Sequence, residues 1–342
     1  MRSIIGMFLA VGVLVGGAWA GVPGGGELGS VDAVNRWISN YRVKPQPARL
    51  AAAVRALSQL GALKETEASG VYVGFIAGVI YANPARAEEL IAKLLPIAAV
   101  DQWVIVRAIA YSGHPEWKEL LGKFAGRMPQ RRVMAEKYIE GKLPILDQIA
   151  LEKKSPTLWQ KLTFSSPAAQ PGETTFDRNP ELLDTLWGYY FATGSYGPIA
   201  RIVVLLPWSN DRDSVDKLTV GNMAKYTLAS NASRDPELLA LLKAASKNQP
   251  RNVAPVLAEV IDAAESMETT RLRKDALAAL EELKRKGPAY KRDVSTWGQI
   301  GTGALALGCI AAAATGHIEL GLPCVIGGAG SSAALSFWDK QQ

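Results

Sequence analysis

One pattern repeats along the body of this chain and limits what it can fold into. An apolar stretch is followed by a small polar turn, a proline and a second, shorter apolar stretch. Glycine and asparagine accept the left-handed conformation that ends a helix, and proline is tolerated in the first turn of the next helix. The pattern therefore predicts helix hairpins, and no stretch of the sequence indicates a β-strand.

Four copies of the pattern are recognisable. Their apolar stretches are 71–76 with 89–91, 103–106 with 119–121, 182–191 with 202–204, and 223–228 with 238–242. The prolines that mark the turns, Pro84, Pro115, Pro198 and Pro236, are 31, 83 and 38 residues apart. A period of about 30 to 40 residues is typical of stacked helical repeats. Because one hairpin cannot bury its apolar face alone, we expect the hairpins to stack.

Over about residues 48–286 these hairpins resemble the helical-repeat superfamily in the broad sense, tetratricopeptide-like or HEAT-like. The resemblance implies an all-α fold, an α-solenoid of stacked helix hairpins. The Trp, Leu-Gly, Tyr and Ala pattern of tetratricopeptide repeats is not met, so no binding residue is carried over. An irregular helical bundle whose turns look alike is the alternative.

The first twenty residues have the composition of a secretory signal peptide. Arg2 supplies the positive start, the apolar run extends over residues 4–15, and Ala18-Trp19-Ala20 has the small-x-small form of a cleavage site. The alternative is an uncleaved anchor, but the run is shorter than the roughly 20 residues that a spanning helix needs. We expect residues 1–20 to be removed and the chain to be exported, to the periplasm or as a secreted protein.

Changes in composition divide the remaining chain. The predicted segments are a leader and first helix (21–47), N-terminal helical repeats (48–164), a Pro/Ser/Thr-rich loop (165–178), C-terminal helical repeats (179–287) and an apolar helical hairpin (297–338). The first helix is predicted over residues 31–41 with Ser30 as its N-cap. A further helix over about 269–286 closes the repeats.

The C-terminal hairpin is predicted from two uncharged, Gly/Ala-rich stretches, 298–316 and 320–338. Each has nineteen residues, which as a helix span about 28 Å, close to the thickness of a hydrocarbon core. Small residues permit close helix contact in lipid. The hairpin is therefore expected to contact a membrane, and a soluble cap packed on the body is the alternative.

Two residue pairs support a reversal of the chain near residue 317. Trp297 and Trp338 then lie side by side at the open end, where tryptophan suits a membrane interface. Cys309 and Cys324 face each other in almost the same register. Because an exported chain meets an oxidising compartment, we expect a disulfide between them. Two free, buried cysteines are the alternative.

No motif predicts a catalytic residue, a metal site or a cofactor. The two histidines, His114 and His317, are far apart, and with the two tail cysteines they do not form a zinc-binding pattern. His114 lies in a repeat turn, where we expect it to be solvated. The net charge of +6 comes from scattered lysines and arginines, so nucleic-acid binding is not indicated.

An aromatic cluster gives the clearest lead to a binding surface. Trp187, Tyr189 and Tyr190 are nearly consecutive, so on a helix they point in different directions. Core positions are favoured for most of them, and one or two are candidates to line the groove in which helical repeats bind peptides.

Together these features suggest a non-enzymatic interaction protein of the bacterial envelope. It would bind a protein or peptide, whose identity is unknown, and would be tethered through residues 297–338. Two alternatives stay open. One is a secreted membrane-active protein, pore-forming or effector-like, and the other is a cell-wall enzyme with an unmarked acid site.

Overall fold

A computed structural model of the chain describes residues 27–152, 174–266 and 278. Within these residues the chain is mostly α-helical and contains no β-strand, and a single isolated bridge joins Ala150 to Thr175. The predicted all-α class is confirmed.

The helices follow one another in the order in which they are numbered here. They are α1 (Val31–Asn40), α2 (Leu50–Gln59), α3 (Gly70–Ala82), α4 (Ala87–Leu94), α5 (Trp103–Tyr111), α6 (Trp117–Ala125), α7 (Arg132–Ile139), α8 (Glu181–Thr193), α9 (Tyr196–Val204), α10 (Val215–Ala232), α11 (Pro236–Ser246) and α12 (Ala254–Glu265). Short 3-10 turns occupy Tyr41–Val43, Pro47–Arg49, Pro84–Arg86, Pro129–Arg131, Leu146–Gln148 and Leu206–Asn210.

The four apolar patterns of the sequence correspond to the helix pairs α3–α4, α5–α6, α8–α9 and α10–α11. Gly113 and Gly194 follow α5 and α8 with φ of +68° and +66°, the left-handed conformation that closes a helix. Pro236 is the first residue of α11. Asn231 does not mark the last turn as expected, because α10 continues through it to Ala232.

The hairpins do not simply stack in chain order. The most extensive helix contact joins α3 of the first hairpin to α8 of the third, while α5 of the second packs on α3. Helices α3, α8 and α10 are buried around most of their circumference. Helix α3 is apolar all round, which suits a protein interior, while α8 and α10 also bury polar side chains; the three inner helices form a core layer. The predicted solenoid arrangement is not confirmed.

Glycines allow α3 and α8 to approach closely. Gly70 and Gly74 lie one helical turn apart and contact the backbone of Glu181 and Thr185. A Cβ at Gly70 would lie 2.1 Å from the carbonyl oxygen of Glu181. On the other helix, a Cβ at Gly188 would lie 2.0 Å from the carbonyl oxygen of Val71. Since residues 70 and 74 meet residues 181 and 185 in the same order, the two helices run parallel.

Helix α1 begins as predicted. The Ser30 hydroxyl accepts a hydrogen bond from the backbone N–H of Ala33 at 3.2 Å. The helix ends at Asn40, and the next three residues form a 3-10 turn rather than continuing it. Several predicted segments lie outside the described residues: the signal peptide, most of the loop 165–178, the helix 269–286 apart from residue 278, and the hairpin 297–338.

Candidate functional site

Three carboxyl groups lie together where the N-terminal ends of α3 and α8 meet. Glu181 is the first residue of α8 and Asp184 follows within its first turn. Glu67 lies in the segment that leads into α3, three residues before Gly70. Asp184 and Glu181 are buried, with 1% and 8% of their surface exposed, and Glu67 is half-buried. We call these three residues the carboxyl cluster.

Glu181 has a buried carboxyl group with one oxygen that lacks a hydrogen-bond partner among the described residues. Its Oε1 accepts a hydrogen bond from Nδ2 of Asn179 at 3.2 Å, while no described residue is hydrogen-bonded to its Oε2. Burial raises the pKa of Glu181, and a hydrogen bond from its own backbone N–H, the attraction of Arg107 and the bond from Asn179 only partly oppose this effect. Because an ionised carboxylate without full hydrogen bonding is costly to bury, the environment favours the protonated form.

Glu67 has the carboxyl group that titrates near neutrality. Burial raises its pKa to about 7, and repulsion from Glu181 and Glu65 adds to the effect. Two neighbouring carboxyl groups that resist ionisation mark a candidate functional site, since perturbed pKa values concentrate at such sites.

Helix α5 contributes a cation, Arg107, and the aromatic residue Tyr111 near Glu181. The guanidinium of Arg107 lies 5.0 Å from the ring centroid of Trp103. Tyr111 is buried, its ring meets that of Tyr138 edge to face at 6.1 Å, and burial raises its pKa. With 8% of its surface exposed, Glu181 is too enclosed to contact a substrate.

A different surface lies at the C-terminal ends of α3 and α5. Tyr81, the penultimate residue of α3, is 50% exposed, and its ring centroid is 5.8 Å from that of Tyr189. The Tyr189 hydroxyl donates a hydrogen bond to the carbonyl of Ser112 at 2.9 Å. Burial raises the pKa of Tyr189, so this donor keeps its proton. We call the pair the Tyr81–Tyr189 surface.

The predicted aromatic cluster is divided between core and surface. Trp187 is fully buried, and its indole N–H donates to the Thr227 hydroxyl at 3.0 Å. Tyr190 is 2% exposed and donates to Oδ2 of Asp235 at 2.8 Å. Tyr189 is the half-buried member. Tyr81 was not singled out in the sequence as a site residue, although it lies two residues before the predicted turn at Asn83.

The expectation that His114 is solvated is wrong. It is buried rather than solvated, with 7% of its surface exposed. Its Nδ1 accepts a hydrogen bond from the backbone N–H of Glu116 at 3.1 Å, and its Nε2 lies 3.4 Å from the carbonyl oxygen of Pro84. The physical reason is that the turns of the first two hairpins pack against each other, which the sequence of a single turn does not reveal.

The predicted tail residues Trp297, Trp338, Cys309 and Cys324 lie outside the described residues, as does His317, so the interface anchors and the disulfide stay predictions. Over residues 27–152 and 174–266, no helix combines the length and the hydropathy needed to cross a membrane. The same residues contain no group of three or more His, Cys, Asp or Glu side chains that could hold a metal ion. Comparison of the chain with models of protein families, with curated proteins and with solved structures finds no match.

Proposed function

We propose that this chain is an exported, non-enzymatic interaction protein that binds a protein or peptide through its helical body. The observation that carries the proposal is the Tyr81–Tyr189 surface, a half-exposed aromatic ring supported by a second ring. Tyrosine offers a large contact area at a low cost in conformational entropy, and it is enriched among the residues that dominate binding energies.

The supports beneath this surface favour a rigid binding position. The hydrogen bond to the carbonyl of Ser112 fixes Tyr189. The residue after Ser112, Gly113, lies near the side chains of both Tyr81 and Tyr189. Helices α3 and α5 end here, and the C-terminal end of a helix carries partial negative charge. A basic side chain of the partner is therefore favoured above the Tyr81 ring, where it would also gain a cation–π contact.

The delivery of the protein forms the second part of the proposal. Residues 1–20 would direct export, and residues 297–338 would form an apolar hairpin that tethers the body to a membrane. In this proposal the four helix pairs form a modified helical repeat, in which the third pair packs against the first. The composition of the two terminal segments and the α3–α8 contact support these points.

A photo-crosslinking residue at position 81 tests the binding surface in the cells that make the protein. A matched probe at Val133, which is 65% exposed on α7, serves as the control. We expect one discrete adduct from position 81 and none of the same mass from position 133. The absence of any protein adduct from position 81, or the same adducts from both positions, contradicts the proposal.

Membrane fractionation with a carbonate wash tests the tether. The full chain should stay with membranes, while a chain without residues 297–342 should be soluble. If both are soluble, the hairpin is not a tether. Leakage of liposomes caused by the purified full chain would instead favour the membrane-active alternative.

A further inference from the structure

We infer that the carboxyl cluster of Glu67, Glu181 and Asp184 is a proton-operated latch between the segment 60–69 and helix α8. In the protonated state the latch holds the segment against α8. Ionisation releases it. This inference does not depend on the binding function proposed above, because it concerns the opposite ends of α3 and α8.

The position of Glu181 supplies the first argument. Only 8% of its surface is exposed, and no described residue is hydrogen-bonded to its Oε2. An ionised carboxylate with such an oxygen loses the hydrogen bonds that water would provide, which destabilises the charged form. The closed arrangement therefore suits a neutral carboxyl group. Since the group is inaccessible to a substrate, proton uptake is the chemistry available to it.

The charges around the cluster supply the second argument. Like charges at short range oppose simultaneous ionisation. Glu67 is repelled by Glu181 and Glu65, and Glu181 interacts with Arg107 and Tyr111 of α5. Burial raises the pKa of Tyr72 of α3, and the nearby charges of Asp32 of α1 and Asp184 add to this effect. Within the described part of the chain, Arg107 is the cation whose attraction lowers the pKa of Glu181, and it only partly offsets the effect of burial.

Glu67 gives the latch its route for protons. It is half-buried, whereas Glu181 and Asp184 are buried, so protons exchange with solvent through it. Release of a proton from Glu67 places a negative charge beside Glu181 and weakens the closed state. Burial and the neighbouring acids raise the pKa of Glu67 to about 7, so this occurs near neutral pH.

The segment 60–69 joins α2 to α3. Gly61 has a φ of +75° just after α2, and the segment ends where α3 begins at Gly70. The indole N–H of Trp103 donates to the carbonyl of Leu63 at 3.2 Å, and the Ser69 hydroxyl donates to the carbonyl of Glu65 at 2.7 Å. Leu63 is fully buried in the core, so the segment is anchored at its middle, and the carboxyl cluster adds a pH-dependent contact at its C-terminal end.

Thermodynamic linkage between proton binding and opening of the latch gives the direction of the pH effect. A carboxyl group whose pKa is higher in the closed state than in the open state makes the closed state bind more protons. The closed state is therefore fully favoured below the ordinary carboxyl pKa of about 4.5 and loses this advantage as the pH rises through about 7. Acid closes the latch and mild alkali opens it.

Hydrogen–deuterium exchange of the full chain at pH 5 and pH 8 tests the latch. After correction for the intrinsic pH dependence of exchange, amides of residues 60–72 should open roughly tenfold more often, or more, at pH 8. Glu67→Gln should remove most of this difference because the amide cannot ionise. Glu119→Gln, at an exposed position on α6, is the matched control and should behave like the wild type.

Two results would overturn the inference. One is corrected exchange of residues 60–72 that does not differ between pH 5 and pH 8 in the wild type. The other is a Glu67→Gln variant that retains the full pH dependence of the wild type. Glu181→Gln is a second variant with the same expected outcome, and exchange elsewhere in the chain shows whether it is folded.

Discussion

Gly74 of α3 and Thr185 of α8 lie so close that a Cβ on Gly74 would be 1.8 Å from the carbonyl oxygen of Thr185. Real Cβ atoms essentially never come within 3.0 Å of a heavy atom outside their own stretch of backbone, so no side chain fits here. The same relation holds in reverse between Gly188 and the backbone of Val71. The two halves of the body, separated in sequence by the segment 153–173, are thus joined backbone to backbone.

Gly74→Ala is expected to destabilise the protein by about 3 kcal/mol or more, or to prevent folding. The added methyl group would overlap with backbone, which cannot move aside as a flexible side chain can. Chemical unfolding followed by circular dichroism measures the effect.

Gly122→Ala is the matched control for that substitution. Gly122 lies within α6, is exposed, and a Cβ there would be 4.0 Å from Cδ1 of Ile139. Because alanine favours the helix, we expect a gain of about 0.5–1 kcal/mol. Equal losses in Gly74→Ala and Gly122→Ala would contradict the close contact between α3 and α8.

Thr227→Val should cost about 1–3 kcal/mol, because it leaves the buried indole N–H of Trp187 without its acceptor. The Thr227 hydroxyl also donates to the carbonyl of Met223 at 2.7 Å. A double-mutant cycle with Trp187→Phe isolates the coupling between the two side chains. If the two losses of unfolding free energy simply add, the hydrogen bond between α8 and α10 does not contribute to stability.

Asp235→Ala should destabilise the fold by about 1–2 kcal/mol. Its Oδ1 caps α11 by accepting from the N–H groups of Glu237 and Leu238. Its Oδ2 binds Arg42 at 2.5 Å and accepts the Tyr190 hydroxyl. Asp235→Asn keeps the cap but loses the charge, so its loss should be smaller. Thermal unfolding compares the two, and equal melting temperatures would contradict this division of roles.

Glu181→Gln should become more stable relative to the wild type as the pH rises from 5 to 8. Burial raises the pKa of Glu181 in the folded state, so the folded wild type binds more protons than the unfolded chain and loses stability as they leave. The variant carries no such proton. Urea unfolding at several pH values measures the difference, and parallel pH profiles would show that Glu181 is not perturbed.

The local structure could be predicted from the sequence where short-range chemistry decides it. Proline and glycine positions gave the hairpin turns, and Ser30 was recognisable as a cap because its partner lies three residues away. The order in which the hairpins pack could not be predicted. The contact between Gly74 and Thr185 links residues that are far apart in the chain, and the spacing of Gly70, Gly74 and Gly78 does not name the helix they face.

The carboxyl cluster was hidden for the same reason. Glu181 and Asp184 look like ordinary acids in the first turn of a helix, and Glu67 sits in a polar stretch beside Lys64 and Glu65. Their burial follows from tertiary packing alone. His114 was assigned to solvent because a single turn does not show what packs upon it.

Affinity for the partner that is crosslinked from position 81 tests the central claim most directly. Isothermal calorimetry would compare the full chain with Tyr81→Ala and with Val133→Ala, both changes at exposed side chains. If the Tyr81–Tyr189 surface is the binding site, Tyr81→Ala should weaken binding at least tenfold, and Val133→Ala should leave it unchanged. Undiminished binding by Tyr81→Ala would contradict the account.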